Sequence, residues 1–465
     1  MEDLENKTYA YALKNAVAHE GKAMQGPVIS SLFNEGLKNS EVGKYVKKIC
    51  EIIMKVNAMS FEEQEKEFAK LKDDVSEREV REGLEELPNA KEGKVVLRLA
   101  PFPSGALHIG NAKTYLLNAL YAERYKGKLM FMMDDTIGSE EKQIMKDAYQ
   151  LIPEAFDWLK VNYEKPILYK SDRLEIYYKY AQELIEKGKA YVCLCSLEKL
   201  RENRLKGIEC EHRKQTPKKA LEEWKKMFTE YKPMQASLRL KTSMKSPDPA
   251  FRDRVLFRIS EREHPRVGKK YRVWPLLEFS WAIDDHLLKI THIIRGKDLM
   301  IESEMEKFIW DIFGWKYPEL LHAGMVKVEG MGAKISKSKS QKEILSGEFS
   351  GWDDPRTWSV QSLRKRGFQP EVLRKFVENI GLNQNDIKVP VDVLYSLNRK
   401  VISELAKSAD FEENPKGKLK VIMPDGTKVL GNSGMNFKNE ELIFFRGLGY
   451  CKYDKKANIF YFSHD

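Results

Sequence analysis

The chain has 465 residues, enough for two to four domains with substantial cores, and its 42% hydrophobic content is that of an ordinary globular protein. It holds neither a basic leader followed by an apolar run nor a stretch of about 18 apolar residues, so a signal peptide and a membrane span are not expected. Eighty basic against 70 acidic residues leave a net charge of +10, which suits a phosphate-backbone partner and equally a solvated basic surface. Five unevenly spaced cysteines make no disulfide framework and point to a reducing, cytoplasmic setting.

Residues 1–90 read as helical: "SLFNEGLKNSEVGKYVKKICEIIMKVNAMSFEEQEKEFAKL" carries apolar residues at three- and four-residue spacing. "LPNA" breaks that pattern, and "GKVVLRLAPFP" reads as a buried strand ending in a proline-rich loop. A helix over "NAKTYLLNALYAERYKG" and a strand "KLMFMMDD" follow, which together spell a right-handed strand–helix–strand unit of a parallel sheet. Residues from about 140 to 190 read as helical, and "AYVCLCSLEKL" opens an insertion of about 190–235. "QASLRLKT", "DRVLFRIS", "YRVWPLLEFSWAID" and "ITHIIRGKDL" read as strands, and "ESEMEKFIWDIFG" as a helix. After "KISKSKSQKEI" the chain turns helical and basic; from 388 on, "LKVIMPDGTKVLG" and "YCKYDKKANIFYFSH" read as hairpins, with "DG" a preferred turn pair.

Two segments read as phosphate sites. "HIGN" (His108 to Asn111) stands between strand and helix, where free helix-start N–H groups favour an anion, Gly110 permits close approach and His108 can donate to a phosphate oxygen. "KISKS" offers Lys334 and Lys337, compact charges able to follow a phosphate. Each has a plain alternative: a helix cap for the histidine and a solvated loop for the lysines. A third constellation is Cys193, Cys195, Cys210 and His212, a C-x-C pair and a C-x-H pair suited to tetrahedral zinc. Cys50 and Cys451 stand apart and read as small buried apolar residues. "PRTWSVQSLRKRGFQPEVLRK" interleaves Arg and Lys with Trp358 and Phe368, which could cradle a nucleic-acid backbone and stack on a base, or be a solvated amphipathic helix pair.

Over about residues 90–400 the chain resembles the archaeal-type glutamyl-tRNA synthetases, class I enzymes with the glutaminyl enzymes as near kin. The likeness rests on "RLAPFPSGALHIGNAK", "DDT" at Asp134 to Thr136, "AIDDHLLKITHIIRGKD", "KISKS" and "GWDDPRTWSVQSLRKRG". It implies an α/β fold: a Rossmann-type parallel-sheet catalytic domain at 91–345, a helical N-terminal region at 1–90, a zinc-bearing insertion, a helical tRNA-contacting region at 346–387 and a reduced β-rich, anticodon-domain-like end at 388–465. It implies ATP-dependent activation of glutamate to glutamyl-adenylate, then transfer to tRNA(Glu), with tRNA(Gln) a further candidate. His108, Lys337 and Lys334 would be the catalytic groups, and Pro103, Ser104, His108, Gly110, Asn111, Lys334 and Lys337 would bind ATP with Mg²⁺. Arg98, Ala100, Asp134 and Arg295 would hold glutamate, the arginines on carboxylate and Asp134 on the ammonium. Trp352, Asp353, Arg356 and Arg364 would contact tRNA, and Cys193, Cys195, Cys210 and His212 would hold structural Zn²⁺. Residues 1–90 could dock a partner protein.

The chain departs from the family pattern at several positions. Asn111 stands where a second histidine is usual, Met132 and Ile137 replace Arg and Asp around "DDT", Leu277 replaces a tyrosine, Glu278 an aspartate and Phe102 a small polar residue. These bear on substrate selectivity. They leave two further readings open: an altered-specificity, glutaminyl-type ligase, and a catalytically degenerate paralogue that binds RNA or a partner.

Overall fold

The computed structural model describes residues 2–19, 21–35, 37, 41–75, 83–137, 143–330 and 337–465, with the backbone alone at 2, 3, 34, 73, 337 and 338. The chain divides into two compact units, 1–82 and 83–465. Among the described residues, no helix is long and apolar enough to cross a membrane.

The first unit is helical, as its periodicity predicts. Helices Glu2–Ala18, Gln25–Asn34, Val42–Asn57 and Phe61–Lys70 bury Leu13, Val28, Leu32, Ile49, Ile53 and Val56 against one another. Ser60 starts the last of them: its hydroxyl accepts from the Glu63 amide while the Glu63 carboxylate accepts from the Ser60 amide, a reciprocal cap that satisfies two end groups. The unit ends before residue 90, because Leu87 joins the core of the second unit and its amide donates to the Tyr125 hydroxyl.

The second unit is mixed α/β. Strands Val96–Leu99, Lys128–Met133 and Leu168–Tyr169 pair in parallel. Helix Ile109–Arg124 connects the first two and buries Leu116, Leu117 and Tyr121 against them. A second parallel pair, His292–Gly296 with Glu319–Ala323, lies beside the first strand, where the Thr291 amide donates to the Val96 carbonyl at 2.9 Å. Asn118 on the connecting helix donates to the Ile294 carbonyl and fixes the helix to both pairs.

A four-stranded antiparallel sheet, Ala190–Cys193, Ser237–Leu240, Val255–Ile259 and Val273–Pro275, follows the parallel strands. The inserted layer therefore extends well past residue 235. The expected strand over "YRVWPLLEFSWAID" is overturned in its second half: Leu277–Leu287 is a helix whose residues Glu278 to Asp285 are all buried. A helix buried all round shows no helical period, so its sequence imitates a buried strand.

The region after 345 is partly helical, with Val360–Lys365 and Pro370–Ile380. The β-rich end starts later than 388, since Val391–Ile402 is a helix whose Leu394 lies in the main core, and Ile387–Pro390 pairs in parallel with Val326–Glu329. Both predicted hairpins form, Leu419–Ile422 with Lys428–Asn432 and Gly449–Asp454 with Ile459–His464, inside a seven-stranded sheet over 407–464. Arg366 anchors that sheet: its buried guanidinium donates to the carbonyls of Phe462 and Ser463 and packs 4.4 Å from the Trp358 ring.

Candidate active site

Strand Val96–Leu99 ends at Ala100, and the chain turns through Pro101, Phe102, Pro103 and Ser104 before the helix at Ile109. The turn is tied to the end of the neighbouring strand, with the Asp134 amide donating to Pro101 and the Met145 amide to Pro103. His108 is the helix cap: its Nδ1 accepts from the Gly110 amide at 3.1 Å, and its own amide donates to the Asn111 side-chain oxygen at 3.0 Å. An accepting Nδ1 puts the ring proton on Nε2. Gly110 serves this cap, since a Cβ there would stand 3.1 Å from the His108 ring. Asn111, the departure from the pattern, is thus the other half of the reciprocal cap.

Lys334 lies outside the described residues, and Lys337 starts a helix, Lys337–Leu345, that is described there by backbone alone. The helix nonetheless reaches the turn: Gln341 donates to the Met145 sulfur at 2.9 Å, and Met145 is the residue hydrogen-bonded to Pro103. Two segments 196 residues apart in sequence therefore meet at the carboxyl ends of the parallel strands, the end where open α/β sheets bind ligands.

Beside the turn lies a buried set of charges. Arg98, 7% exposed, grips Asp285 through Nε at 2.5 Å and Nη2 at 3.0 Å. Burial pulls the Arg98 guanidinium down, but Asp285, Glu306 and Asp134 together hold the group above its ordinary value. Arg295 grips Glu306 through both Nη atoms, at 2.7 and 2.5 Å. Burial pushes the Glu306 carboxyl up against the pull of Arg295. Lys170, fully buried, lies 3.3 Å from Asp134 and donates to the Ser280 hydroxyl at 2.8 Å; burial lowers its ammonium despite Asp134. Asp284 takes Arg173 at 2.8 Å and the Tyr177 hydroxyl at 2.5 Å, and burial raises its carboxyl.

Arg98 and Arg295 converge. Their guanidinium carbons lie 4.5 and 5.2 Å from the centre of the Trp281 ring, and Lys170 Nζ lies 5.0 Å from it. The three cations and the three carboxylates Asp134, Asp285 and Glu306 balance in charge. Two members still have unpaired atoms within the protein: Asp134 Oδ2, an acceptor, and Arg295 Nε, a donor. Such a cluster is nearly self-contained, with one acceptor and one donor left over. Ala100 directly follows the strand that carries Arg98, and Glu278, another departure, is held by Arg254.

Sequence reasoning missed Lys170, Trp281, Asp285 and Glu306. Glu306 leaves a trace: Ser303, Glu306 and Trp310 fall on one buried helix face, and an acid on such a stripe needs a buried partner. Lys170 directly follows a two-residue strand, too short to show a period, yet it stands at the carboxyl end of a parallel strand.

The proposed tRNA contacts divide. Trp352 is buried: it donates to Asp147 at 3.1 Å, and its ring edge fills the space where a Cβ on Gly105, at φ +130°, would stand. Asp353 pairs with Lys365 at 2.7 Å and Arg356 with Asp354 at 2.9 Å. Arg364 is exposed, and no ion pair is found for it among the described residues. Trp358 and Phe368 are core residues, each 1% exposed, so the expectation that they stack on a base is overturned. The basic stretch carries its aromatics inward because they close the core under the sheet at 407–464.

Cys193, Cys195, Cys210 and His212 present ligand atoms that all lie within 4.8 Å of one another. The Cys193–Cys210 sulfur separation is 3.8 Å and Cys195 Sγ to His212 Nδ1 is 3.6 Å. A tetrahedral zinc with bonds of about 2.3 Å to sulfur and about 2.0 Å to nitrogen has edges of about 3.8 and about 3.5 Å, so the donor set fits that ion. The hydrogen bond from the Cys193 thiol pulls the Cys210 thiol down.

This frame of parallel strands, capped helix start and buried charge cluster is that of a nucleotide-dependent amino-acid-activating enzyme. The catalytic-domain pattern of the class I tRNA synthetases (E and Q) matches residues 94–404, and the chain belongs to that family. Among its relatives, the glutamate–tRNA ligase of Pyrococcus furiosus is 41% identical over 425 residues, covering 89% of this chain and 73% of the relative. That of Methanocaldococcus jannaschii is 39% identical over 447 residues, covering 95% of this chain and 79% of the relative. A solved glutamate tRNA ligase from Elizabethkingia meningosepticum is 20% identical, with a TM-score of 0.48 and coverage of 67% of this chain and 70% of that one.

Proposed function

We propose that the chain is a glutamate–tRNA ligase that condenses glutamate with ATP to glutamyl-adenylate, releasing pyrophosphate, and passes the glutamyl group to the 3′ end of tRNA. The observation that carries this reading is the buried cluster with unpaired Asp134 Oδ2 and Arg295 Nε, one acceptor for an ammonium and one donor for a carboxylate, beside a capped helix start. The activity named for the archaeal relatives supports it.

In this reading Arg98, Ala100, Asp134 and Arg295 hold glutamate. Arg98 and Arg295 arrive already paired with acids, so they act as fixed hydrogen-bonding walls more than as free clamps. His108, through Nε2–H, and Lys337 and Lys334 steady the charge that builds on the α-phosphate when the glutamate carboxylate attacks it. Pro103, Ser104, Gly110 and Asn111 would line ATP, and Mg²⁺ accompanying it would offset phosphate charge. Cys193, Cys195, Cys210 and His212 hold a zinc ion that ties the inserted layer together; four protein ligands leave no open position for chemistry. Arg364 and the paired Asp353–Lys365 and Asp354–Arg356 face tRNA, with Trp352 fixing that segment to the turn. The helical unit 1–82 is available for a partner protein, and the cytoplasm, with its reduced thiols, is the setting.

Charging of total tRNA with labelled glutamate and, separately, glutamine tests the reading. Glutamate-dependent charging is expected. Charging with glutamine alone would replace it with the altered-specificity ligase, and tRNA binding without charging would replace it with the degenerate paralogue.

A further inference from the structure

The helix Leu277–Leu287 turns one face to the charge cluster. Leu277, Trp281 and Asp285 recur at four-residue spacing on that face, and Asp285 is the residue that grips Arg98. Leu277 brings no polar atom. Trp281, one turn on, is 5% exposed and has Arg98, Lys170 and Arg295 around its ring at 4.5, 5.0 and 5.2 Å. Three cations on one indole is a costly grouping unless the ring's negative face and the neighbouring carboxylates offset it. The indole Nε1–H is buried and has no partner within the protein, in the same cluster as the unpaired Arg295 Nε and Asp134 Oδ2. A buried unpaired donor costs stability, and a site that keeps two donors and one acceptor unpaired is complementary to a ligand that completes them.

We infer that Trp281 determines specificity by donating its indole N–H to the side-chain carboxylate of the amino acid substrate. The indole does two things. Its face holds the three paired cations apart, and its N–H supplies the donor that Leu277, on the same helix face, cannot. Arg295 Nε supplies the second donor and Asp134 Oδ2 receives the ammonium. The inference rests on the ligase reading above.

The test is steady-state charging of total tRNA by the full chain and its Trp281→Phe variant, which keeps an aromatic face and removes the N–H. The KM for glutamate rises about tenfold, while kcat stays within about twofold and the KM for ATP is unchanged. Inhibition by norvaline, which has the backbone groups and no side-chain carboxylate, is equal in the two proteins. A merely structural role would not split KM from kcat or glutamate from norvaline. A variant whose KM for glutamate stays within twofold of the wild type overturns the inference and leaves the ligase reading standing. A wild-type protein that charges nothing with glutamate overturns both. Should the variant fail to fold, the wild type decides: of its eight indole N–H signals in a ¹⁵N spectrum, one moves downfield as glutamate saturates the enzyme, and no movement overturns the inference.

Discussion

Removing the Glu306 carboxylate should unfold the site, and removing its partner with it should not. Arg295 and Glu306 are 4% and 0% exposed and joined by two hydrogen bonds, so Glu306→Leu leaves a guanidinium buried without its counter-charge. Breaking one side of such a pair costs about 3–5 kcal/mol, whereas replacing both partners by apolar residues of similar size is often neutral. Glu306→Leu should therefore lower the melting midpoint by several degrees, Arg295→Met by a comparable amount, and the double variant should recover most of the loss. Circular-dichroism melts of the four proteins measure this. Charging activity is the second readout: the double variant should be folded and inactive with glutamate, because Arg295 Nε is gone. A Glu306→Leu protein that melts within a degree of the wild type would refute the argument that this carboxylate holds Arg295 in place.

Four further outcomes follow from other parts of the molecule. One zinc per chain should be found by elemental analysis, and Cys210→Ser should abolish it and loosen the inserted layer to proteolysis, with charging reduced but not abolished. Burial pushes the His464 imidazole down to about 4, so it stays neutral in the folded chain where the unfolded chain protonates it. The sign is thus a loss of stability as pH falls from about 6.5 toward about 4, up to about 3 kcal/mol, seen as a pH-dependent melt that His464→Gln flattens. Arg364→Ala should weaken tRNA binding and reduce the slope of log affinity against log salt by about one. Arg366→Met should cost the sheet at 407–464 its carbonyl anchor at Phe462 and Ser463, and limited proteolysis should then cut after the helix ending at Ile402.

What the sequence displayed was whatever local rules control. The strand, its prolines, the helix start at His108 and the two hairpins are each written within a few residues, and the structure has them in place. The charge cluster was half legible, because Arg98 and Arg295 show their type and position but not their partners, which lie 187 and 11 residues away. Helix Leu277–Leu287 is not legible in the sequence, since burial on all sides erases the period, and Trp281 is hidden with it. Aromatics interleaved with Arg and Lys do not say which face of a basic stretch points inward, and Trp358 and Phe368 point into the core.

The pairing of each arginine with its own acid has a consequence for salt. In the proposed reading glutamate would enter a cluster that is already neutral and buried, to be recognised by a few short hydrogen bonds and not by net attraction. Buried charges are screened far less than exposed ones. The KM for glutamate should then change less than about twofold between about 50 and about 200 mM salt, while tRNA affinity, if exposed cations such as Arg364 carry it, should fall by orders of magnitude over the same range. Charging assays at saturating tRNA with varied glutamate, repeated across that range, separate the two. A glutamate KM that climbs in step with tRNA dissociation would mean that the substrate meets open, unpaired guanidinium groups, contrary to the ion pairs Arg98–Asp285 and Arg295–Glu306.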